Sequence, residues 1–324
     1  MIASATPTLS DPLLYETEFS HVFTVFPLGQ AVEISTNSSA LENAALSLWS
    51  RYPQLFDSAK IYLRIAVSEQ EAAAPPPAPV PRGQGHLVSI IRNADNFGMA
   101  DLRQGFGFAS FTRDVAANRS AVSWDFLEPL VYMMVAARHF AQVHASCVSL
   151  GGRGVLLCGD SGAGKTCLAY ACALAGWRLV SGDAVQIVRS SKGRDLIGRP
   201  YAIRFRESAR WLFPELRNHQ PRRSEHGKLD IEVDTADLAI GTALEARASH
   251  VVFLKRESGV ARPHFSTVPF EEAFARLEQV VLYGDKTLRD AQKQTLAELL
   301  QSPVVRLTYS DLSGAEQALR RLVE

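Results

Sequence analysis

Residues 159–166 read Gly-Asp-Ser-Gly-Ala-Gly-Lys-Thr, and few segments of this length leave a chain so little freedom of local fold. They fit G-x-x-x-x-G-K-[ST], a phosphate-binding loop that needs a strand before it and a helix after it. Both are present in the sequence. Val155-Leu156-Leu157-Cys158 is a short apolar run, and Cys167 to Ala175 is rich in small helix formers. The glycines let the backbone curl so that successive N–H groups point inward at phosphate oxygens. The N-terminus of the following helix adds partial positive charge. Gly159, Asp160, Ser161, Gly162, Ala163, Gly164, Lys165 and Thr166 are therefore the candidate nucleotide-binding residues. Lys165 is expected to reach the β- and γ-phosphates, and the Thr166 hydroxyl to ligate Mg²⁺.

Composition narrows the class. The 324 residues carry 34 Lys and Arg against 34 Asp and Glu, so no net charge recruits nucleic acid or another polyanion. Basic residues cluster locally between Arg189 and Lys228. The four cysteines, Cys147, Cys158, Cys167 and Cys172, surround the loop without a C-x-x-C pair, which reads as reduced, buried thiols. The N-terminus has no basic stretch followed by an apolar one, so no signal peptide is expected. The longest apolar helical run, Phe126 to Phe140, is short of the roughly 20 residues of a membrane span. A cytoplasmic chain without a membrane or nucleic-acid partner is the expectation.

Along the chain, His21–Phe26 and Gln30–Ser35 flank Pro27-Leu28-Gly29 as a hairpin. Ser39-x-x-Glu42 reads as a capping box opening a helix to Arg51. Strands are expected at Lys60–Val67, His86–Arg92, Gly105–Arg113 and Ser120–Trp124, with a proline-rich loop over 69–85. The second part starts with the helix Phe126–Phe140. Strands Val143–Leu150 and Gly154–Cys158, the loop and its helix, and a strand Trp177–Ser181 follow. Val251–Leu254, helices Phe270–Leu282 and Lys286–Gln301, a strand Val304–Tyr309 and a helix Leu312–Val323 complete it. The division expected is a mixed α+β region, 1–125, ahead of an α/β nucleotide-binding domain, 126–324.

Two polar residues near the loop stand out. Asp183 follows the strand after the loop helix. In an α/β sheet the ligand sits at the carboxyl ends of the strands, so Asp183 is a candidate catalytic group and Mg²⁺ ligand. His144 begins the strand ahead of the loop strand, fifteen residues before Gly159.

His144-Ala145-Ser146, the loop, and Arg178-Leu179-Val180-Ser181-Gly182-Asp183-Ala184-Val185 together resemble the catalytic domain of the HPr kinase/phosphorylase family, without gaps from His144 to Val185. The resemblance implies a P-loop kinase core using ATP and Mg²⁺, transferring phosphate to a serine-type hydroxyl on a peptide, protein or small metabolite. It also implies self-association, since the true HPr kinases are hexamers. That family has an Asp-Asp pair whose first member serves as base, and that position here is Gly182. The departure leaves three readings: Asp183 or His144 substitutes as the catalytic base, the acceptor needs no strong base, or the protein is a nucleotide-binding regulatory module or ATPase without phosphotransfer. Arg204 and Arg206 are candidate charge clamps for the transferring group, and Lys228 a further nucleotide contact. Glu207 is a candidate second metal ligand. Arg204 and Arg206 would share a face if the segment is a strand, and Arg206 and Arg210, a further candidate clamp, would share one if it is a helix.

Overall fold

The computed structural model describes residues 17–71, 78–223, 229–280 and 283–324. The chain forms two units, residues 1–135 and 136–324. The division lies inside the helix Glu128–His139, later than the sequence boundary after residue 125.

In the first unit, β1 (His21–Val25) and β2 (Val32–Thr36) form the antiparallel hairpin. Helix α1 (Ser39–Trp49) crosses to β3 (Ile61–Ser68), which lies parallel to β2. A meander of β4 (Val80–Gln84), β5 (Leu87–Ile91), β6 (Phe97–Asp101) and β7 (Phe106–Thr112) returns parallel to β3. The order is β1-β2-β3-β7-β6-β5-β4. Short helices α2 (Arg113–Ala117) and α3 (Arg119–Val122) and a wide π-type turn at Ser123–Leu127 lead into α4 (Glu128–His139). Alternation along β2 and β3 buries Val32, Ile34, Ile61, Leu63 and Ile65, the period-two pattern of a half-covered sheet.

Several expectations change here. Ser39 is the first helical residue, the cap position is Ser38, and no side chain caps it. Glu42 instead meets His21 Nδ1 at 2.6 Å. The proline-rich loop is not loop throughout, because its end is β4, paired to β5 across Gly85-His86. Residues 72–77 of it lie outside the described residues. Ser120–Trp124 is helical, not a strand. The Asn118 side chain accepts from the Ala121 amide and starts that helix, a cap the strand reading overlooked.

The second unit carries a mixed sheet. Its strands are β8 (Phe140–Val143), β9 (Ser146–Leu150), β10 (Arg153–Cys158), β11 (Arg178–Ser181), β12 (Val185–Val188) and β13 (Asp195–Ile197). Helix α5 (Lys165–Leu174) joins β10 to β11. A small separate sheet is made by β14 (Ala202–Arg206), β15 (Arg222–Arg223) and β16 (Leu229–Asp234), in the order β14-β16-β15. Then come β17 (Gly241–Thr242), the long β18 (Glu245–Arg256), β19 (His264–Thr267), α6 (Phe270–Leu277), α7 (Lys286–Leu299), β20 (Val304–Tyr309) and α8 (Leu312–Val323). The main order is β17-β11-β9-β10-β18-β13-β12-β8, with β20 also on β18 and β19 on β20.

Strand β10 is buried on both faces. Val155 and Leu157 join a core with Leu168 of α5 and Leu319 of α8, while Leu156 and Cys158 join one with Leu277 of α6 and Leu296 of α7. That is why its sequence is a continuous apolar run rather than an alternating one. β10 is parallel to β18 and antiparallel to β9, and β9 is antiparallel to β11. The sheet is thus mixed, yet β10 and β11 point the same way, so their carboxyl ends lie at one edge.

The expected strand Val143–Leu150 is two strands. β8 pairs with β12, and β9 pairs with β10 and β11. The facing strand breaks at the same level, since β11 ends at Ser181 and β12 starts at Val185. Register is kept across the break, with Val185 opposite Val143 and Ser181 opposite Cys147. The residues of the two breaks, His144-Ala145 and Gly182-Asp183-Ala184, therefore face each other.

No helix among the described residues is long and apolar enough to cross a membrane. In the first unit, Trp49 is fully buried and its Nε1 donates to the Tyr132 hydroxyl at 3.2 Å. Replacing Trp49 by Ala should lower the opening free energy of the α1–β3 region by about 3–5 kcal/mol. Amide hydrogen exchange in β2 and β3 measures it; unchanged protection there would contradict this packing role.

Candidate functional site

The loop Gly159–Gly164 joins the end of β10 to the first turn of α5. Gly162 and Gly164 each have φ of 89°, in the left-handed region that side chains disfavour. At Gly164 a Cβ would also stand 2.7 Å from the Tyr309 hydroxyl. That hydroxyl, at the end of β20, donates to the Ala163 carbonyl at 3.0 Å. Burial raises the Tyr309 pKa to about 12, so it stays a neutral donor that holds the loop from below.

Lys165 is buried at the start of α5. Its Nζ donates to the Gly159 carbonyl at 2.8 Å and the Asp160 carbonyl at 3.3 Å. Burial pulls its pKa down, against the opposing pull of Asp183. The Thr166 hydroxyl donates to the Gly182 carbonyl at 3.0 Å, and the Ser146 hydroxyl donates to the same oxygen at 2.6 Å. One carbonyl thus ties α5, β9 and the break after β11 together. Beside it, His144 Nδ1 lies 3.2 Å from Asp183 Oδ1, both side chains about half exposed. Burial lowers the His144 pKa, with Asp183 acting in the other direction.

The small sheet reaches the loop from the other side. Tyr170 of α5 stacks edge-on against Phe205 and Phe213, with ring centroids 5.2 and 4.8 Å away, and its hydroxyl donates to Glu215 at 2.7 Å. Phe205 and Ile203 point into that core, so Arg204 and Arg206 share the opposite face of β14. Arg206 Nη2 comes to 3.5 Å from Ser161 Oγ, and its Nη1 lies 3.3 Å from Asp230 Oδ1. Arg204 pairs with Glu232. At Gly182 an added Cβ would meet Ile203 Cγ1 at 3.0 Å, so the missing side chain there lets β14 come close.

Of the candidates, then, His144, Lys165, Thr166, Asp183 and Arg206 gather around residues 159–164 and Gly182. Arg204 is turned to Glu232. Glu207 faces Arg210 at 3.7 Å, and among the described residues no group of three or more His, Cys, Asp or Glu comes together as a metal cluster. Lys228 lies outside the described residues. The four cysteines are free thiols, three of them buried.

The sequence reading overlooked three residues. Tyr309 closes an apolar strand with nothing local to link it to the loop. Arg276 of α6 lies 3.9 Å from Asp160 Oδ1, held by Glu272 at 3.3 Å and over the Phe253 ring at 5.6 Å. Asp230 holds Arg206. All three are far from the motif in sequence and reach it only through the fold.

Residues 136–206 match the family model of the HPr Serine kinase C-terminal domain. The similarity is to the C-terminal domain of that kinase and is confined to this segment. The segment contains the two strand breaks, the loop, α5 and the strand that carries Arg204 and Arg206. Among solved structures, the Hpr(Ser) kinase/phosphatase from Coxiella burnetii aligns at 13% identity over 56% of this chain and 96% of that one, with a TM-score of 0.29. No curated protein sequence matches the chain.

Tyr309→Phe should leave the Ala163 carbonyl without this donor at little change in volume. The expected cost is about 0.5–1.5 kcal/mol. It is read from chemical denaturation followed by far-ultraviolet circular dichroism, and an unchanged midpoint would show that the hydroxyl does not support the loop.

Proposed function

We propose that the protein is an ATP-dependent kinase that moves the γ-phosphoryl group to a serine-type hydroxyl of a peptide, protein or small metabolite. The observation that carries this reading is the convergence, at one sheet edge, of Lys165, Thr166, Arg206 and the His144–Asp183 pair around the 159–166 loop.

Loop amides and the N-terminus of α5 would take the β- and γ-phosphates. Lys165 now spends its protons on two loop carbonyls; a phosphate oxygen is a stronger, charged acceptor, so the ammonium re-pairs with it when nucleotide enters. Thr166 and Asp183 offer a hydroxyl and a carboxylate on neighbouring backbone joined through Gly182, the oxygen donors a hard cation takes. They would hold Mg²⁺, which supplies charge neutralisation of the phosphates. Asp183 would hold the His144 ring through its Nδ1. Arg206 meets the loop at Ser161, and its delocalised charge suits oxygens that gain negative charge during transfer. Positioning and charge stabilisation supply most of the acceleration in such reactions.

The test uses γ-labelled ATP, Mg²⁺ and an array of serine-centred peptides, with ATP affinity measured by calorimetry. Label should pass to a subset of peptides. Lys165→Ala should weaken ATP binding about ten- to a hundredfold, the loss of one charge-assisted contact. Phosphate released to water with no labelled acceptor would identify an ATPase instead. ATP affinity equal in wild type and Lys165→Ala would overturn the nucleotide site itself.

A further inference from the structure

Three aspartates border the loop. Asp160 is on the loop and faces Arg276. Asp183 is held against His144, on the side where Thr166 reaches Gly182. Asp230 comes from β16, directly opposite Arg206 in the β14–β16 ladder. It is linked to the loop by a single guanidinium, which gives Nη1 to Asp230 Oδ1 and Nη2 to Ser161 Oγ. An arginine fork serves two partners at once, so Asp230 sits one guanidinium beyond the loop. Gly182 offers no side chain for this task, and Ile203 fills the space beside it.

The pair is poised to exchange partners. Arg206 and Asp230 are both partly exposed, with side-chain accessibilities of 44% and 28%, so the ion pair is weak. A terminal phosphate carries more charge and more acceptor atoms than the Ser161 hydroxyl, and guanidinium binds phosphate bidentately.

We propose that Asp230 is the carboxylate that takes the acceptor's proton, and that nucleotide binding frees it by drawing Arg206 onto the terminal phosphate. This deepens the phosphotransfer reading above and rests on it. In the step, the acceptor hydroxyl oxygen bonds to the γ-phosphorus. The bond from that phosphorus to the β–γ bridging oxygen breaks, its electron pair leaving on the nucleoside diphosphate. The hydroxyl proton passes to Asp230. Asp230 thus gives up its Arg206 partner when a triphosphate is in place.

Asp230→Asn separates the roles, with Glu232→Gln as comparator, since Glu232 makes the same kind of cross-strand arginine pair one step along the ladder. Calorimetry with ATP and ADP, and transfer to the serine-peptide array, are measured for both. Asp230→Asn should bind ATP roughly two- to fivefold more tightly, because Arg206 no longer leaves a partner. ADP affinity should stay at the wild-type value, which also reports an intact loop. Its kcat for transfer should fall at least about a hundredfold with the peptide KM unchanged, and Asp230→Glu should recover part of it. Glu232→Gln should alter neither affinity nor kcat beyond about a factor of two, the scale of an exposed ion pair. Transfer by Asp230→Asn at the wild-type rate would overturn the assignment as base, and ATP binding no tighter than wild type would overturn the exchange. Equal losses in Asp230→Asn and Glu232→Gln would reduce both to ladder contacts. A wild type that binds ATP but labels no peptide would instead overturn the phosphotransfer reading, and the base assignment with it.

Discussion

The Gly182 carbonyl is the point on which the candidate site depends. It accepts from Ser146 of β9 and from Thr166 of α5, so one buried acceptor links two strands and a helix. An acceptor left without donors in such a place would cost about 1–3 kcal/mol. Two hydroxyls satisfy it and fix the level at which the β8–β9 and β11–β12 ladders open. Register is the same immediately on either side of the opening, and the β11–β9 ladder shifts by one residue just before it, between Leu179 and Ser181. The pair His144 and Asp183 stands in that opening, beside the loop.

A second constraint brings charge to the site. The small sheet is anchored on α5 through Tyr170, Phe205 and Phe213. In a strand, residues alternate faces, so burying Ile203 and Phe205 turns Arg204 and Arg206 outward together. The close approach of Ile203 to Gly182 sets how near that outward face comes to the loop. Apolar packing on one face of β14 thereby decides the placement of Arg206 on the other. The same alternation on β16 puts Asp230 and Glu232 opposite the two arginines.

Much of this was legible in the residues. The run Val155–Cys158, the glycine pattern and Lys165-Thr166 specify strand, loop and helix locally, because they act through hydrogen bonds and dihedrals a few residues apart. β20 and α8 were legible for the same reason. The Ser120–Trp124 error came from reading apolar residues as a strand where Asn118 starts a helix. The unbroken strand Val143–Leu150 was misread because nothing in Val-His-Ala-Ser announces a break; only the opposing Gly182-Asp183-Ala184 makes one. The HPr-kinase-like motif pointed to His144 and Asp183 separately, and their distance is a property of the paired breaks.

By itself, the sequence determined the loop, the helix that follows it and the residues that would meet phosphate, since each follows from near-neighbour chemistry. It also showed Val155–Cys158 as a continuous apolar run, and the packing on both of its faces came with the structure. Only the tertiary structure decided which distant groups meet that loop. Tyr309 beneath Ala163, Arg276 beside Asp160, and Arg206 with Asp230 beside Ser161 all depend on sheet order and on which face of a strand is buried. Those are set by the packing of the whole unit, where each strand's partner is chosen far along the chain and no local pattern records the choice.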